Sequence, residues 1–367
     1  MLAYAFGVVL FVLCICLSVA LHEAGHLLAA KSFGMKVRRY FIGYGPTLFS
    51  FRRGGTEYGL KWLPLGGFCD IAGMTTLDEV KPDEVPRAMW RFKAWQRTVV
   101  MAAGPVSHFL LGLVVLYAMA TTMGLPNLAG TPDVATVTSG APAQAAGVQP
   151  GDRIVAVARR DTPTYPEVIA ALRQSNGPTP VEVLRQGEPV PLNVDVRDGA
   201  IGVTFPGVYE YNAVTAVGGV AGFTGQMFGQ TWQRLIELPQ RIPAVAHSIF
   251  GGERDPNTPV SVVGMSRIGG EAVQQGLWPL FFLLLASFNF FMGVLNLLPL
   301  LPLDGGHVAV IWYERVRNGV RRLFGKAAAG PVDYTKLLGA TMVVVLVGGA
   351  VMLLTIAADL VNPVRLT

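Results

Sequence analysis

Four stretches of the chain contain no Asp, Glu, Lys or Arg: Leu2 to Leu21, Val99 to Met123, Leu277 to Leu301 and Leu337 to Ala358. Each approximates the ~20 apolar residues that an α-helix needs to cross a bilayer. The pattern predicts a polytopic α-helical membrane protein with four transmembrane helices. The first stretch ends in Ser18-Val19-Ala20, which imitates a signal-peptide cleavage site. No basic residue precedes it, however, and its apolar run exceeds the usual ~7–15 residues of a signal core, so it is read as a span.

Between the spans the periodicity changes. Thr47 to Phe51 and Tyr58 to Leu63 flank Arg52-Arg53-Gly54-Gly55 and read as a β-hairpin. The surrounding segment, Tyr40 to Met74, is rich in glycine and aromatics and is expected to touch the membrane. From Asp133 to Val203 the pattern is that of a compact α+β module. A Pro150-Gly151-Asp152 turn precedes the alternating strand Arg153 to Val157, and Tyr165 to Arg173 reads as a short helix. Val181 to Leu184 and Val190 to Val196 then form a hairpin around Gln186-Gly187. Gly222 to Phe250 has amphipathic helical character, suited to the outer membrane surface or to packing on the module.

Composition agrees with a membrane protein, at 51% hydrophobic and 14% charged residues. The net charge of +5 is unevenly spread. Lys31 to Arg97 holds 12 Lys/Arg against 6 Asp/Glu, and Glu314 to Lys336 holds 6 against 2. Gly124 to Gly276 runs the other way, with 10 against 13. Basic loops stay in the cytoplasm, so the module and both termini are expected outside. Topology and membrane lipid thus account for the basic excess, and no nucleic-acid partner is needed. Cys14, Cys16 and Cys69 form no disulfide framework.

The strongest chemical signal is His22-Glu23-Ala24-Gly25-His26 at the end of the first span. On a helix the two histidines face the same way, so both imidazoles can hold one Zn²⁺ while Glu23 reaches its bound water. The bland reading is an interfacial helix end with solvated side chains. Against it, ionisable groups at membrane depth are costly unless they are paired or bind a metal.

Zinc needs a third protein ligand if water is to keep the fourth position. Asp304 is the candidate, in the stretch Asn296-Leu-Leu-Pro299-Leu-Leu-Pro302-Leu-Asp304-Gly305-Gly306-His307. The prolines break the third helix, and the glycines are expected to turn the backbone sharply. Alone, Asp304 would be an ordinary helix exit. His307 is a rival ligand, set against by a glycine pair that disfavours helical spacing from Asp304. His247 is expected at the surface.

Together HEAGH, the glycine-rich β segment, GPVSHF at Gly104 to Phe109, the module and NLLPLLPLDGGH resemble the intramembrane site-2 metalloproteases. Within them, the chain is similar to the bacterial regulator-of-sigma-E protease type. The stretch APAQAAGVQPGDRIVAV, with the pattern around it, resembles a bacterial PDZ domain. The resemblance implies His22, His26 and Asp304 as zinc ligands and Glu23 as general base. It also implies Asn296, Pro299 and Pro302 as substrate-binding residues: Asn296 contacts substrate backbone or the developing oxyanion, and the two prolines shape the segment that carries Asp304. The implied substrate is a single-pass membrane protein, typically a pre-trimmed anti-sigma factor, cut in its membrane helix at the bacterial inner membrane. Two departures stand out: His108 occupies a position where the family often has asparagine, and only one PDZ-like module is visible. The alternative is a membrane-anchored PDZ adaptor with a vestigial metal site, which leaves the four site residues as costly coincidences. The expected division is 1–123 and 277–367 as halves of the membrane core, 124–210 as the PDZ-like domain and 211–276 as an amphipathic connection.

Overall fold

The computed structural model describes residues 1–255 and 257–366. Among the described residues, four helices, or helix runs, are long and apolar enough to cross a membrane: Leu2–Ser32, Ala94–Thr122, Trp278–Asn296 and Tyr334–Val361. They match the four expected spans. Two compact units can be distinguished, one formed by the chain up to Leu116 and from Met227 onward, the other by Tyr117–Gln226.

In the first unit, α1 (Leu2–Ser32) leads into β1 (Val37–Arg53) and β2 (Thr56–Ile71), and α2 (Ala94–Thr122) follows. β1 and β2 pair antiparallel at both ends, from Val37↔Ile71 to Ile42↔Gly67 and from Thr47↔Lys61 to Arg53↔Thr56. Residues 39–42 also neighbour 57–60, because both strands fold back on themselves. The hairpin is therefore longer than its alternating core suggested. Gly54 and Gly55 make its turn with φ of 58° and 74°, a conformation that favours glycine. At the base of the sheet, Arg38 donates to Asp78 and Glu84 and holds the Glu84 carboxyl below its ordinary range.

The second unit carries β3 (Leu125–Pro126), β4 (Thr136–Val137), α3 (Pro142–Ala145), β5 (Arg153–Val157), β6 (Arg160–Asp161), α4 (Tyr165–Arg173), β7 (Gly177–Arg185), β8 (Glu188–Val196), β9 (Val203–Thr204) and β10 (Val208–Tyr209). Its main sheet has the order β6-β5-β7-β8. Alternate residues of β5, β7 and β8, such as Ile154, Val183 and Val194, are buried with Val168 and Leu172 of α4. The expected strand, helix and hairpin are all present, because period 2 with one buried face is a strong local signal.

α5 (Thr215–Ile249) returns the chain to the first unit, followed by α6 (Val262–Gln274), α7 (Trp278–Asn296), α8 (Asp304–Leu323) and α9 (Leu338–Val361). Phe228 of α5 packs on Phe109 of α2 and Phe290 of α7, with centroids 5.1 and 5.5 Å away. That part of α5 therefore rests on the spans, a packing not foreseen from its amphipathic pattern. α6 was also not foreseen. It lies against α1 through small residues: a Cβ on Gly7 would stand 2.7 Å from Val273 Cβ, and one on Gly270 2.5 Å from Val8 Cγ2. Close approach of backbones gives such helix pairs their dispersion energy.

Two expectations require correction. The third span ends at Asn296, not Leu301, because Leu298 and Pro299 begin an irregular connector. Gly305 and Gly306 do not break the backbone either; they form the first turn of α8. They serve to allow contact. A Cβ on Gly305 would stand 2.2 Å from Leu297 O, and one on Gly306 2.5 Å from Leu301 N. The start of α8 thus lies directly on the connector backbone, which aims Asp304.

Candidate active site

The buried positions of α1 include Gly7, Phe11, Ile15, Ser18, His22 and His26, spaced three or four residues apart. That spacing is a single helix face. The stripe that packs Phe11 and Ile15 inside the protein therefore carries both histidines inward. Phe6, Leu13, Leu17 and Leu28 are exposed on the other side, as a lipid-facing surface requires. The helix continues to Ser32, so the motif lies within regular helix.

The imidazoles of His22 and His26 meet edge to face, with Nε2 atoms 3.2 Å apart. Asp304 completes the group, its Oδ2 3.2 Å from His22 Nε2 and its Oδ1 3.4 Å from His26 Nε2. One ligand atom from each of the three residues lies within 4.8 Å of the others. His26 Nδ1 donates to Val100 O at 2.8 Å. A carbonyl only accepts, so Nδ1 carries a proton, and in the neutral ring Nε2 presents a lone pair. That lone pair faces a second imidazole nitrogen and a carboxylate in a buried space, an arrangement that a cation reconciles. Asp304 Oδ2 and His22 Nδ1 are buried without a hydrogen-bond partner among the described residues, which is consistent with a site built for a metal.

α2 frames the other side. A Cβ on Gly104 would stand 2.3 Å from His26 Nε2 and 2.7 Å from His22 Cε1, so only glycine admits the two rings. Glu23 is half-buried and lies by β2, where a Cβ on Gly67 would stand 3.1 Å from Glu23 Cγ. Tyr40 Oη donates to Ala20 O at 2.8 Å and fastens β1 to α1 beside the motif. The β segment is thereby fixed next to the candidate base.

His108 is fully buried, its ring centroid 4.9 Å from that of His22. Nδ1 of His108 donates to Asn289 Oδ1 at 2.9 Å, and Asn289 Nδ2 donates to Leu285 O. His307 does not join the metal group; its Nδ1 lies 3.2 Å from Tyr334 Oη. His247 is exposed, as expected. Asn296 ends α7 half-buried. Pro299 lines a groove of about 690 Å³ formed by the connector, α8 and α9, and Pro302 is exposed on the connector. Gly104, Asn289 and Tyr334 had no assigned part in the sequence reading. Asn289 did carry a signal, since it is a carboxamide inside an otherwise apolar span.

Residues 10–339 match the model of peptidase family M50. The chain belongs to peptidase family M50. It is a metallopeptidase, and its donor set of two imidazole nitrogens and a carboxylate oxygen is one that zinc takes with water as a fourth ligand. It is 46% identical to the zinc metalloprotease Rip1 of Mycolicibacterium smegmatis, with 99% of each chain covered. The Rip1 of Mycobacterium tuberculosis is 45% identical, with 98% of each covered. The metalloprotease MmpA of Caulobacter vibrioides is 28% identical over 90% of this chain and 91% of its own.

Proposed function

We propose that this M50 peptidase hydrolyses peptide bonds within transmembrane helices of single-pass membrane proteins, with His22, His26 and Asp304 holding zinc and Glu23 as the general base. One observation carries the reading: three metal-ligand side chains from two distant helices converge within 4.8 Å at the end of a membrane span. Held by His22, His26 and Asp304, zinc would supply Lewis-acid polarisation of a carbonyl and acidify water. Glu23 would accept a proton from the attacking water and pass it to the departing amide nitrogen.

A helix engages its own carbonyls in hydrogen bonds, so the substrate must unwind before it is cut. The β1–β2 sheet, fixed to α1 by Tyr40, offers an edge for pairing with the unwound strand. Asn296 contacts the substrate backbone or the developing oxyanion, while Pro299 and Pro302 shape the substrate-binding segment that carries Asp304. For Pro299, the groove that it lines with α8 and α9 supports a part in holding substrate.

The β6-β5-β7-β8 sheet with α4 supports a PDZ-like domain over 124–210, between the membrane-core halves 1–123 and 277–367 and beside the connection 211–276. The loop charges support a topology with this domain and both termini outside the bacterial inner membrane. There it selects substrates, by holding a new C-terminal carboxylate or by steric exclusion. The substrate class that fits is a pre-trimmed anti-sigma factor.

The test is cleavage of a tagged single-pass membrane substrate by the purified protein in detergent. Glu23→Gln is expected to lose ~10²–10⁴-fold in rate, and a zinc chelator to stop cleavage. Wild-type rates in Glu23→Gln would remove Glu23 from its role. Stoichiometric zinc without cleavage of any member of a varied substrate panel would favour the adaptor reading.

A further inference from the structure

α8 has two faces, and the protein accounts for only one. His307, Ile311 and Glu314, three or four residues apart, are buried. Glu314 pairs with Arg97 of α2 at 2.9 Å and also accepts from Val332 N, which clamps this face to the protein body. On the opposite face Trp312, Val316 and Val320 form a row at intervals of four, with Leu323 beside them. All four are exposed, Val316 at 61% and Leu323 at 85%. Five apolar or aromatic side chains facing water, Phe324 included, would be an aggregation liability in a soluble helix.

The edges of the apolar face are basic. Arg315 and Arg322 lie on one edge, and neither makes a hydrogen bond or ion pair among the described residues; Arg315 covers the Trp312 ring at 5.9 Å. Arg317 and Arg321, on the other edge, donate to the carbonyls of Gly330 and Ala327. The nearest acid on α8, Glu314, is already paired with Arg97. An apolar stripe bordered by arginines on both sides is the pattern of a helix lying in a lipid interface, with stems in the acyl region and guanidinium groups at the phosphates.

We propose that α8 is an interfacial helix that binds anionic phospholipid through Arg315 and Arg322 and inserts Trp312, Val316, Val320 and Leu323 into the acyl boundary. Because Asp304 is the first residue of the same helix, about 12 Å from Trp312 along the axis, the lipid surface fixes the depth at which this carboxylate stands. Arginine-rich edges attract anionic headgroups with a salt-sensitive energy, which distinguishes this surface from apolar contact with a second copy.

The test uses the full-length protein in vesicles of phosphatidylcholine with a minority of phosphatidylglycerol, in which either the phosphatidylglycerol or an equal fraction of the phosphatidylcholine carries brominated acyl chains. The Trp312 signal is the difference in fluorescence between wild type and Trp312→Phe. The expected result is quenching of this signal several-fold greater with brominated phosphatidylglycerol, a preference that falls with salt and is lost in Arg315→Gln/Arg322→Gln. Absence of quenching by either lipid would overturn the proposal, since the face would then be covered by protein or water. Equal quenching by both, or a preference retained in the double variant, would overturn it too. The readout is independent of proteolysis, so it stands or falls apart from the proposed function.

Discussion

Nδ1 of His108 donates to Oδ1 of Asn289 across the α2–α7 contact at 2.9 Å, and both residues are almost completely buried. The Asn289 amide is committed to Leu285 O, so its oxygen is the acceptor and the His108 tautomer is fixed. One wall beside His22 is thus held by a polar bridge between two spans.

Asn289→Leu is expected to destabilise the protein by ~1–3 kcal/mol, because it strands a buried ring N–H. The double change His108→Leu/Asn289→Leu should cost less than the sum of the single changes, since no orphaned group remains. Thermal unfolding in detergent of the two single variants and the double variant measures both values. Additive losses would remove the coupling.

Gly104→Ala is expected to abolish metal binding and cleavage together, since its Cβ would stand 2.3 Å from His26 Nε2. On the same helix, a Cβ in Gly112→Ala would stand nearest the Phe290 ring, at 2.9 Å, and away from the histidines, so this variant should retain metal. Zinc content by elemental analysis, alongside helicity by circular dichroism, separates loss of the site from loss of fold.

Asp304→Asn keeps the side-chain shape and removes the negative charge from the donor set. Zinc affinity is expected to fall steeply, while the helix content of the protein is retained. Stoichiometric zinc in this variant at ordinary micromolar concentrations would exclude Asp304 as a ligand.

Arg254 and Asp359 form an ion pair at 2.8 Å, with side chains 4% and 1% exposed, and Asp359 also accepts from Ser261 N. It ties the segment before α6 to the end of α9. Removing one charge strands the other, so Asp359→Ala should cost ~3–5 kcal/mol. Unfolding in denaturant at neutral pH checks this, and a loss no larger than that of an exposed pair would count against it.

In the second unit, the hydrogen bond from Arg185 holds the Asp152 carboxyl below its ordinary range, helped by Gln149 N–H. A depressed folded pKa means that the stabilisation is complete above the unfolded value of about 4 and disappears as pH falls through the folded one. Protection from hydrogen exchange in β5 and β7 of the full-length protein, taken relative to the intrinsic amide rate at each pH, should fall on acidification below pH ~4 more in wild type than in Asp152→Asn, which has no charge to lose. Equal loss of protection would assign the acid sensitivity to other groups.

The sequence by itself determined the parts whose signals are local. Span length and lack of charge defined four membrane helices, period-2 alternation defined β5, β7 and β8, and the spacing of His22 and His26 put two imidazoles on one helix face. Asp304 was legible as a candidate because proline and glycine surround a carboxylate at the end of a span. The function of those glycines was not legible. Composition records conformational freedom, whereas Gly305 and Gly306 matter for the contacts that a side chain would block. Only the tertiary structure could decide such things: Gly104 admitting the histidine rings, Asn289 fixing His108, α6 seated on α1, and Phe228 reaching α2 and α7. Each depends on distances between residues far apart in the chain, and helix packing in a membrane relies on steric fit and sparse polar contacts that leave little trace in hydrophobic pattern.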